Sequence, residues 1–167
     1  MDNDAIREYL RLIMSAVADS VNGAQIEETE DGPVLLCSID SPFSDKDEVG
    51  YRFEIIPAGE GLLIAEVMMI VFLGVDKDKY AGVNAIIAET APYINLGSFR
   101  LIEDTGTIAF VQGTVLDEEM EMSTVTAVLG KTVSIMENTA FNAGEYIYRY
   151  LNGEDLETLK AEIGEED

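Results

Sequence analysis

Apolar residues recur along the first 21 residues at intervals of three and four, which is the period of a helix with one buried face. This stripe consists of Ile6, Leu10, Ile13, Met14, Val17 and Val21. Asn22 and Gly23 follow it, and both residue types readily take the left-handed conformation that ends helices. The pattern therefore predicts a first helix near residues 4–21.

After this helix the apolar period changes to two, which is typical of strands. The segments "AQIEET" and "VLLCSID" flank the turn "EDGP" and predict a hairpin, and "YRFEII" predicts a third strand. A fourth strand is predicted over Leu62–Phe72. One of its faces carries Leu63, Ala65, Val67, Met69 and Val71, and the other carries Leu62, Ile64, Glu66, Met68, Ile70 and Phe72.

The second face of this fourth strand is almost as apolar as the first. An antiparallel sheet with one face in water would leave that row exposed. We therefore expect a helix layer, a partner subunit or a ligand chain to cover it.

The second half of the chain predicts a helix, a hairpin and a long helix. "DKDKYAGVNAIIAETAPY" has the helical period and ends near Pro92. A hairpin follows, in which the alternating core residues Phe99, Leu101, Ile108 and Phe110 flank a tight turn at Asp104-Thr105-Gly106. A helix is then predicted over Ser123–Leu151. The fold class is thus α+β, an antiparallel sheet with helices packed across it in the order α-β-β-β-β-α-β-β-α.

The last predicted helix has four charged residues that cancel, in a chain of net charge −23. A helix with so little charge is usually buried on more than one side. Together with the second face of the fourth strand it supplies the candidate interface, which consists of Glu66, Met68, Ile70, Phe72, Val128, Ile135 and Tyr146. Residues 1–153 are predicted to form one domain, and residues 154–167, with seven acids and one lysine, are predicted to form an acidic C-terminal tail that frays.

Composition removes several classes of function. With 33 Asp and Glu against 10 Lys and Arg, the chain would repel a phosphate backbone, so we expect no binding to nucleic acid. Histidine is absent and Cys37 is the single cysteine, which removes the usual general base, the commonest metal ligand and any intramolecular disulfide. We predict no catalytic, cofactor-binding or metal-binding residues and a chain that is not an enzyme, although an enzyme that uses carboxylates alone stays open.

The apolar runs are short for a membrane protein. The longest one, "LLIAEVMMIVFLGV", is interrupted by Glu66 and falls below the roughly 20 residues that a membrane helix needs. The N-terminus begins with acids and lacks the basic start of a signal peptide. We therefore expect no membrane partner and a cytoplasmic location.

The stretch from Asn84 to Leu151 resembles the YbjN-like family. The resemblance rests on a helix, then "INLGSFRLIEDTGTIAF", with Asn95, Leu96, Gly97, Phe99 and the turn from Asp104 to Gly106, and then a long helix with late tyrosines. That family is similar in architecture to the type III secretion chaperones, which are small, acidic, dimeric proteins that hold an extended segment of a client. The resemblance implies this fold and a binding role, and it supplies no catalytic residues.

The leading hypothesis is a non-enzymatic, chaperone-like or regulatory protein-interaction domain. Apolar surface with an acidic rim would bind a client or partner protein, and a homodimer is expected. The alternative is a small-ligand-binding or sensory domain in which the second face of the sheet lines an apolar pocket. An acidic decoy for basic nucleic-acid-binding proteins also stays open.

Overall fold

The computed structural model describes residues 3–18, 20–44 and 47–165. Its four helices are α1 (Asn3–Val17), α2 (Tyr80–Thr90), α3 (Met122–Leu151) and α4 (Leu156–Gly164). Its six strands are β1 (Asn22–Thr29), β2 (Gly32–Asp40), β3 (Glu48–Gly59), β4 (Leu62–Phe72), β5 (Ser98–Ile102) and β6 (Thr107–Asp117). Single 3-10 turns flank α2 at Lys77–Lys79 and Ala91–Tyr93.

The strands form one antiparallel sheet in the order β1-β2-β3-β4-β6-β5. The first four strands form a meander, and the β5–β6 hairpin then adds to it so that β6 lies beside β4. The fold is α+β with an antiparallel sheet, as the sequence predicts.

The four helices form one layer against one face of the sheet. α3 crosses β4 and β6 and contacts the other three helices, while α1 lies over β1, β2 and β3. α2 and α4 pack on each other and on α3 at the β5 end. We call the sheet face under these helices the covered face and the opposite one the open face.

The main core lies between the covered face and α3. Met69 of β4 and Phe110 of β6 are fully buried there, and so is Met136 of α3. Complete burial of a side chain of this size contributes about 1.5–3 kcal/mol. The predicted core residues of the hairpin are confirmed, because Phe99 pairs with Phe110 and Leu101 with Ile108 on this face.

The turn of the predicted hairpin requires its glycine. Gly106 has φ +64°, and its carbonyl accepts a hydrogen bond of 2.9 Å from the backbone of Val75. A β-carbon at position 106 would collide with the backbone of Val75. The hairpin is thereby held against the segment that leads from β4 to α2.

The first helix is shorter than predicted. It ends at Val17 instead of near residue 21, and Asp19 lies outside the described residues. Asn22 and Gly23 belong to β1, since Asn22 pairs with Ser38 of β2. Gly23 does take a positive φ of 60°, but it does so beside an irregularity in the strand pairing and not as a helix cap.

The predicted acidic tail is largely a helix. Asp155 caps α4 by accepting a hydrogen bond of 3.0 Å from the backbone N–H of Thr158. Leu159 and Ile163, four residues apart, are buried against the rest of the helical layer. Because acids are so abundant in this segment, the sequence pattern does not reveal the two apolar residues that pack α4 against the other helices. Glu166 and Asp167 lie outside the described residues.

Candidate functional site

The open face of the sheet brings apolar side chains from four adjacent strands together. The register places Leu36 beside Arg52, Arg52 beside Met68, and Met68 beside Val111. A second row joins Ile56 to Ile64 and Ile64 to Val115. None of the described helices packs on this face, so its apolar rows are in contact with solvent.

Some residues of the open face are buried by their neighbours within the sheet alone. Val34, Ala109 and Val111 are at most 4% exposed, yet they do not belong to the cluster of core residues beneath the helices. Around them, Ile64, Met68 and Ile70 are half-buried, and Val115 is 64% exposed. The open face therefore has a tightly packed floor with a partly exposed apolar surface.

The centre of the open face carries a small set of balanced charges. Arg52 donates a hydrogen bond of 2.9 Å to Glu54 along β3, and Glu54 lies directly opposite Glu66 of β4. The Nε of Arg52 is buried and has no hydrogen-bond partner among the described residues. With Arg100 on β5, which pairs with Ala109, the face holds two arginines against these two glutamates.

Acids surround this balanced centre. Asp40 and Glu48 are paired at one end of the sheet, Asp117 lies opposite Leu62 at the other end, and Glu27 lies on the edge strand β1. Ser38 donates a hydrogen bond of 3.0 Å to Glu48 and orients that carboxylate. The open face thus combines an apolar, nearly neutral centre with an acidic rim.

The structure brings three of the seven candidate interface residues together on this face. Glu66, Met68 and Ile70 alternate along β4 and all point away from the helices. Phe72 does not join them, because the pairing with β6 shifts between Ile70 and Phe72 and brings Phe72 opposite the core residue Ile108. Its ring lies 5.1 Å from that of Phe43, which packs against α3.

The three candidates on α3 lie on the other side of the molecule from the open face. Val128 packs partly on the core, whereas Ile135 is 50% exposed. Tyr146 packs on the core too, and the guanidinium of Arg149 lies 5.8 Å from its ring centroid. The seven candidates therefore do not form one continuous surface.

Sequence patterns alone do not single out several residues of the open face. They are Val34, Leu36, Arg52, Glu54, Ala109, Val111 and Val115. Alternation along each strand shows which of these residues share a face of that strand. It does not show which of the two faces the helices cover. Only the strand order assigns the rows to one face.

The described residues offer little support for thiol chemistry or for metal binding. Cys37 is buried on the covered face, and burial raises the pKa of its thiol to about 11, so the thiolate that would be needed for nucleophilic chemistry is disfavoured at neutral pH. Within the described part of the chain, no group of three or more Cys, Asp or Glu side chains could hold a metal ion.

An apolar groove of about 260 Å³ lies on the helical side of the sheet, between α1 and α3. Tyr51 and Phe53 form its floor, and Tyr51 donates a hydrogen bond of 2.6 Å to Glu137 of α3. Burial, followed by this hydrogen bond, raises the pKa of Tyr51 above its usual range. The hydroxyl therefore stays protonated as the donor, and the carboxylate is the acceptor.

No family model matches the chain, and no curated protein matches it. Among the described residues, no helix is long and apolar enough to cross a membrane. The fold and its two faces thus define an α+β domain with one unshielded apolar sheet face, and they are the basis for the functional argument.

Proposed function

We propose that this chain is a non-enzymatic, cytoplasmic protein-interaction domain, chaperone-like or regulatory, that binds a partner protein through the open face of its sheet. The observation that carries the proposal is the apolar, nearly neutral centre of that face in a chain of net charge −23. The YbjN-like resemblance stays a prediction, since no family model matches.

The partner that this face fits first is a second copy of the same chain. Two molecules of net charge −23 repel each other, so they can associate only where their charge is locally low. The centre of the open face meets that condition, because Arg52 and Arg100 balance Glu54 and Glu66. The acids of the rim would remain in water, where they disfavour other registers.

The size of the face agrees with such an assembly. Six strands about 4.8 Å apart, with an average length of about 30 Å, present roughly 800 Å². A standard stable interface covers roughly 800 Å² per partner. Sheets that pack face to face also bury alternate residues of each strand, which are the residues that the open face leaves half-exposed.

The test is the mass of the protein by light scattering after size exclusion, at low and high salt. We expect twice the chain mass of 18.3 kDa at both salt concentrations, because apolar contacts resist screening. Met68→Lys places a charge in the middle of the apolar face and is expected to give a folded monomer.

Ile135→Lys is the matched control, since it adds the same charge on exposed α3. If Ile135→Lys dissociates the protein and Met68→Lys does not, the interface lies on α3 and the open-face proposal is wrong. A wild-type monomer at every concentration contradicts the homodimer.

A second candidate function, small-ligand binding, is favoured by the groove between α1 and α3. Its apolar walls, with three hydroxyl residues and the Tyr51–Glu137 pair, have the composition of a ligand pocket. This groove lies behind the sheet from the open face, so the two functions can be tested separately.

A further inference from the structure

The groove between α1 and α3 is built from elements that approach each other without closing the space between them. Ile13 and Val17 of α1 face Leu129 and Val133 of α3, above the rings of Tyr51 and Phe53. The volume of about 260 Å³ is slightly below the range of about 300–1,000 Å³ for pockets that hold drug-sized ligands. It suits a small molecule with a short apolar body.

One glycine lies at the mouth of this groove, on the exposed side of α3. Gly130 lies within α3, where glycine costs about 1 kcal/mol relative to alanine, and a β-carbon at this position would meet no atom within 4 Å. Gly144 of the same helix differs, because its β-carbon would lie 3.2 Å from the ring of Phe43. Packing thus accounts for Gly144, whereas no neighbouring atom requires a glycine at position 130.

The polar side of the groove accepts hydrogen bonds and carries negative charge. Glu137 accepts the hydrogen bond from the Tyr51 hydroxyl at Oε1, and its other oxygen accepts no hydrogen bond from the described residues. None of the described residues that line the groove is a lysine or arginine. A ligand that donates hydrogen bonds and is positively charged would complete this site, whereas an anion would be repelled.

The rest of the molecule favours the same ligand charge. With a net charge of −23, the protein raises the local concentration of small cations around it. A carboxylate in a partly desolvated groove binds an ammonium group more strongly than an exposed carboxylate does, because water competes less for both partners.

From these observations we propose that the groove between α1 and α3 binds a short-chain primary amine in its protonated form. The ammonium group donates hydrogen bonds to Glu137, and the alkyl chain lies on the apolar floor beside Gly130. The inference deepens the small-ligand function and does not depend on how the open face is used.

The test is a calorimetric titration of the full chain with three probes that share one alkyl chain: n-hexylammonium, 1-hexanol and hexanoate. We expect saturable binding of n-hexylammonium, at least tenfold weaker binding of 1-hexanol, and none of hexanoate. Equal affinities for the amine and the alcohol would overturn the role of Glu137.

Two variants separate the groove from the acidic surface in general. Glu137→Gln is expected to remove the tenfold preference for the amine, and Gly130→Leu is expected to fill the groove and abolish binding of all three probes. Glu145→Gln removes an exposed acid of the same helix and is expected to change nothing. If n-hexylammonium binds Gly130→Leu and Glu137→Gln as it binds the wild type, the proposal is wrong.

The outcome does not depend on one variant folding. If circular dichroism shows that Gly130→Leu is unfolded, Glu137→Gln, whose side chain is nearly the same shape, decides the question. Neither result bears on the open face, since Met68→Lys leaves the groove unchanged and must bind n-hexylammonium like the wild type.

Discussion

Met68 and Met69 are neighbours in β4 and have the same side chain, but they meet different surroundings. Met69 is fully buried beneath α3, whereas Met68 lies half-buried on the open face. The apolar rows on the two faces of β4 are nearly equivalent in the sequence, so the hydrophobic pattern alone does not decide which face is covered. The helices decide it, and all four lie on the same face.

Charge is what distinguishes the two faces. On β3, β4 and β6 the covered face carries no charged residue, while the open face carries Arg52, Glu54 and Glu66 at its centre and Glu48 and Asp117 at its ends. Buried charges cost several kcal/mol unless they are paired, whereas a surface that is covered only after assembly can keep a few balanced ones. The open face thus has the composition of an interface core more than that of an ordinary wet sheet face.

The same charge placed on each face of β4 is expected to have very different effects. Met69→Lys buries an ammonium group without a partner, which costs several kcal/mol out of a typical domain stability of about 5–15 kcal/mol, so we expect it to be largely unfolded. Met68→Lys is expected to lose less than about 1 kcal/mol because its ammonium reaches water.

Urea denaturation monitored by circular dichroism measures the stability of the two variants, at a concentration at which both are monomers. An equal loss of stability in the two variants would mean that the open face is covered within a single chain.

A milder comparison removes volume instead of adding charge. Phe110→Ala opens a cavity in the covered core and is expected to cost about 3–5 kcal/mol. Val111→Ala, next along β6 and on the open face, deletes two carbon atoms and is expected to cost about 1–1.5 kcal/mol. Denaturant titration measures the free energy of unfolding of each variant and so tests the difference between them. A loss of stability in Val111→Ala near that in Phe110→Ala would contradict the assignment of faces.

The covering layer should be weakest where α4 docks. Arg149 donates hydrogen bonds to Glu154 and Glu162 and ties α4 to α3. Hydrogen exchange over residues 156–164 is therefore expected to be faster in Arg149→Met than in the wild type, with the sheet unchanged. Lys160→Met, which removes an exposed pair with Glu157, is the control and should have a smaller effect.

The same contact predicts a pH dependence. The hydrogen bond from Arg149 lowers the pKa of Glu162 below its usual value of 4.5. A carboxylate with a lowered pKa contributes stability above that usual value and loses it as the pH falls through the lowered pKa. The protection of α4 against exchange, measured relative to the intrinsic exchange rate at each pH, should thus decrease in the wild type below about pH 4.5, and Arg149→Met should show less of this change.

The smallest expected effect concerns the like charges of the open face. Glu54 and Glu66 are directly opposite each other, an arrangement that costs about 0.2–1 kcal/mol. Glu66→Gln should therefore stabilise the monomer by a few tenths of a kcal/mol, as seen in its denaturation midpoint. Glu89→Gln, on the exposed side of α2, should leave the midpoint unchanged, and a destabilised Glu66→Gln would show that Glu66 has a favourable partner.

The sequence predicts the fold well where local patterns are strong. The β5–β6 hairpin and the bounds of β4 follow from alternation and turn residues, and α3 follows from its stripe. Phe72 was assigned to the wrong face because an irregularity in pairing between Ile70 and Phe72 interrupts the alternation, and no residue type at that point marks it. The helix α4 was missed since two apolar residues among many acids are a weak signal.

The candidate site could be predicted only in part, for a different reason. Glu66, Met68 and Ile70 share one strand, so alternation is enough to group them. Val128, Ile135 and Tyr146 were added because α3 has little charge, but the sheet separates α3 from the open face. Which strands and helices share a surface depends on strand order, which sequence periodicity does not encode.

The order in which the chain is synthesised gives the position of α3 a further consequence. A ribosome releases β1 to β4 first, and this meander can form by local pairing, whereas β6 must reach back across α2 and β5 to join β4. The helix that shields the sheet comes later still. Until α3 emerges, the part of the covered face on β4 and β6 is as exposed as the open face, although α1 is already available to cover β1 to β3. The nascent chain thus passes through a stage with two exposed apolar surfaces. Only one of them disappears when the protein is complete.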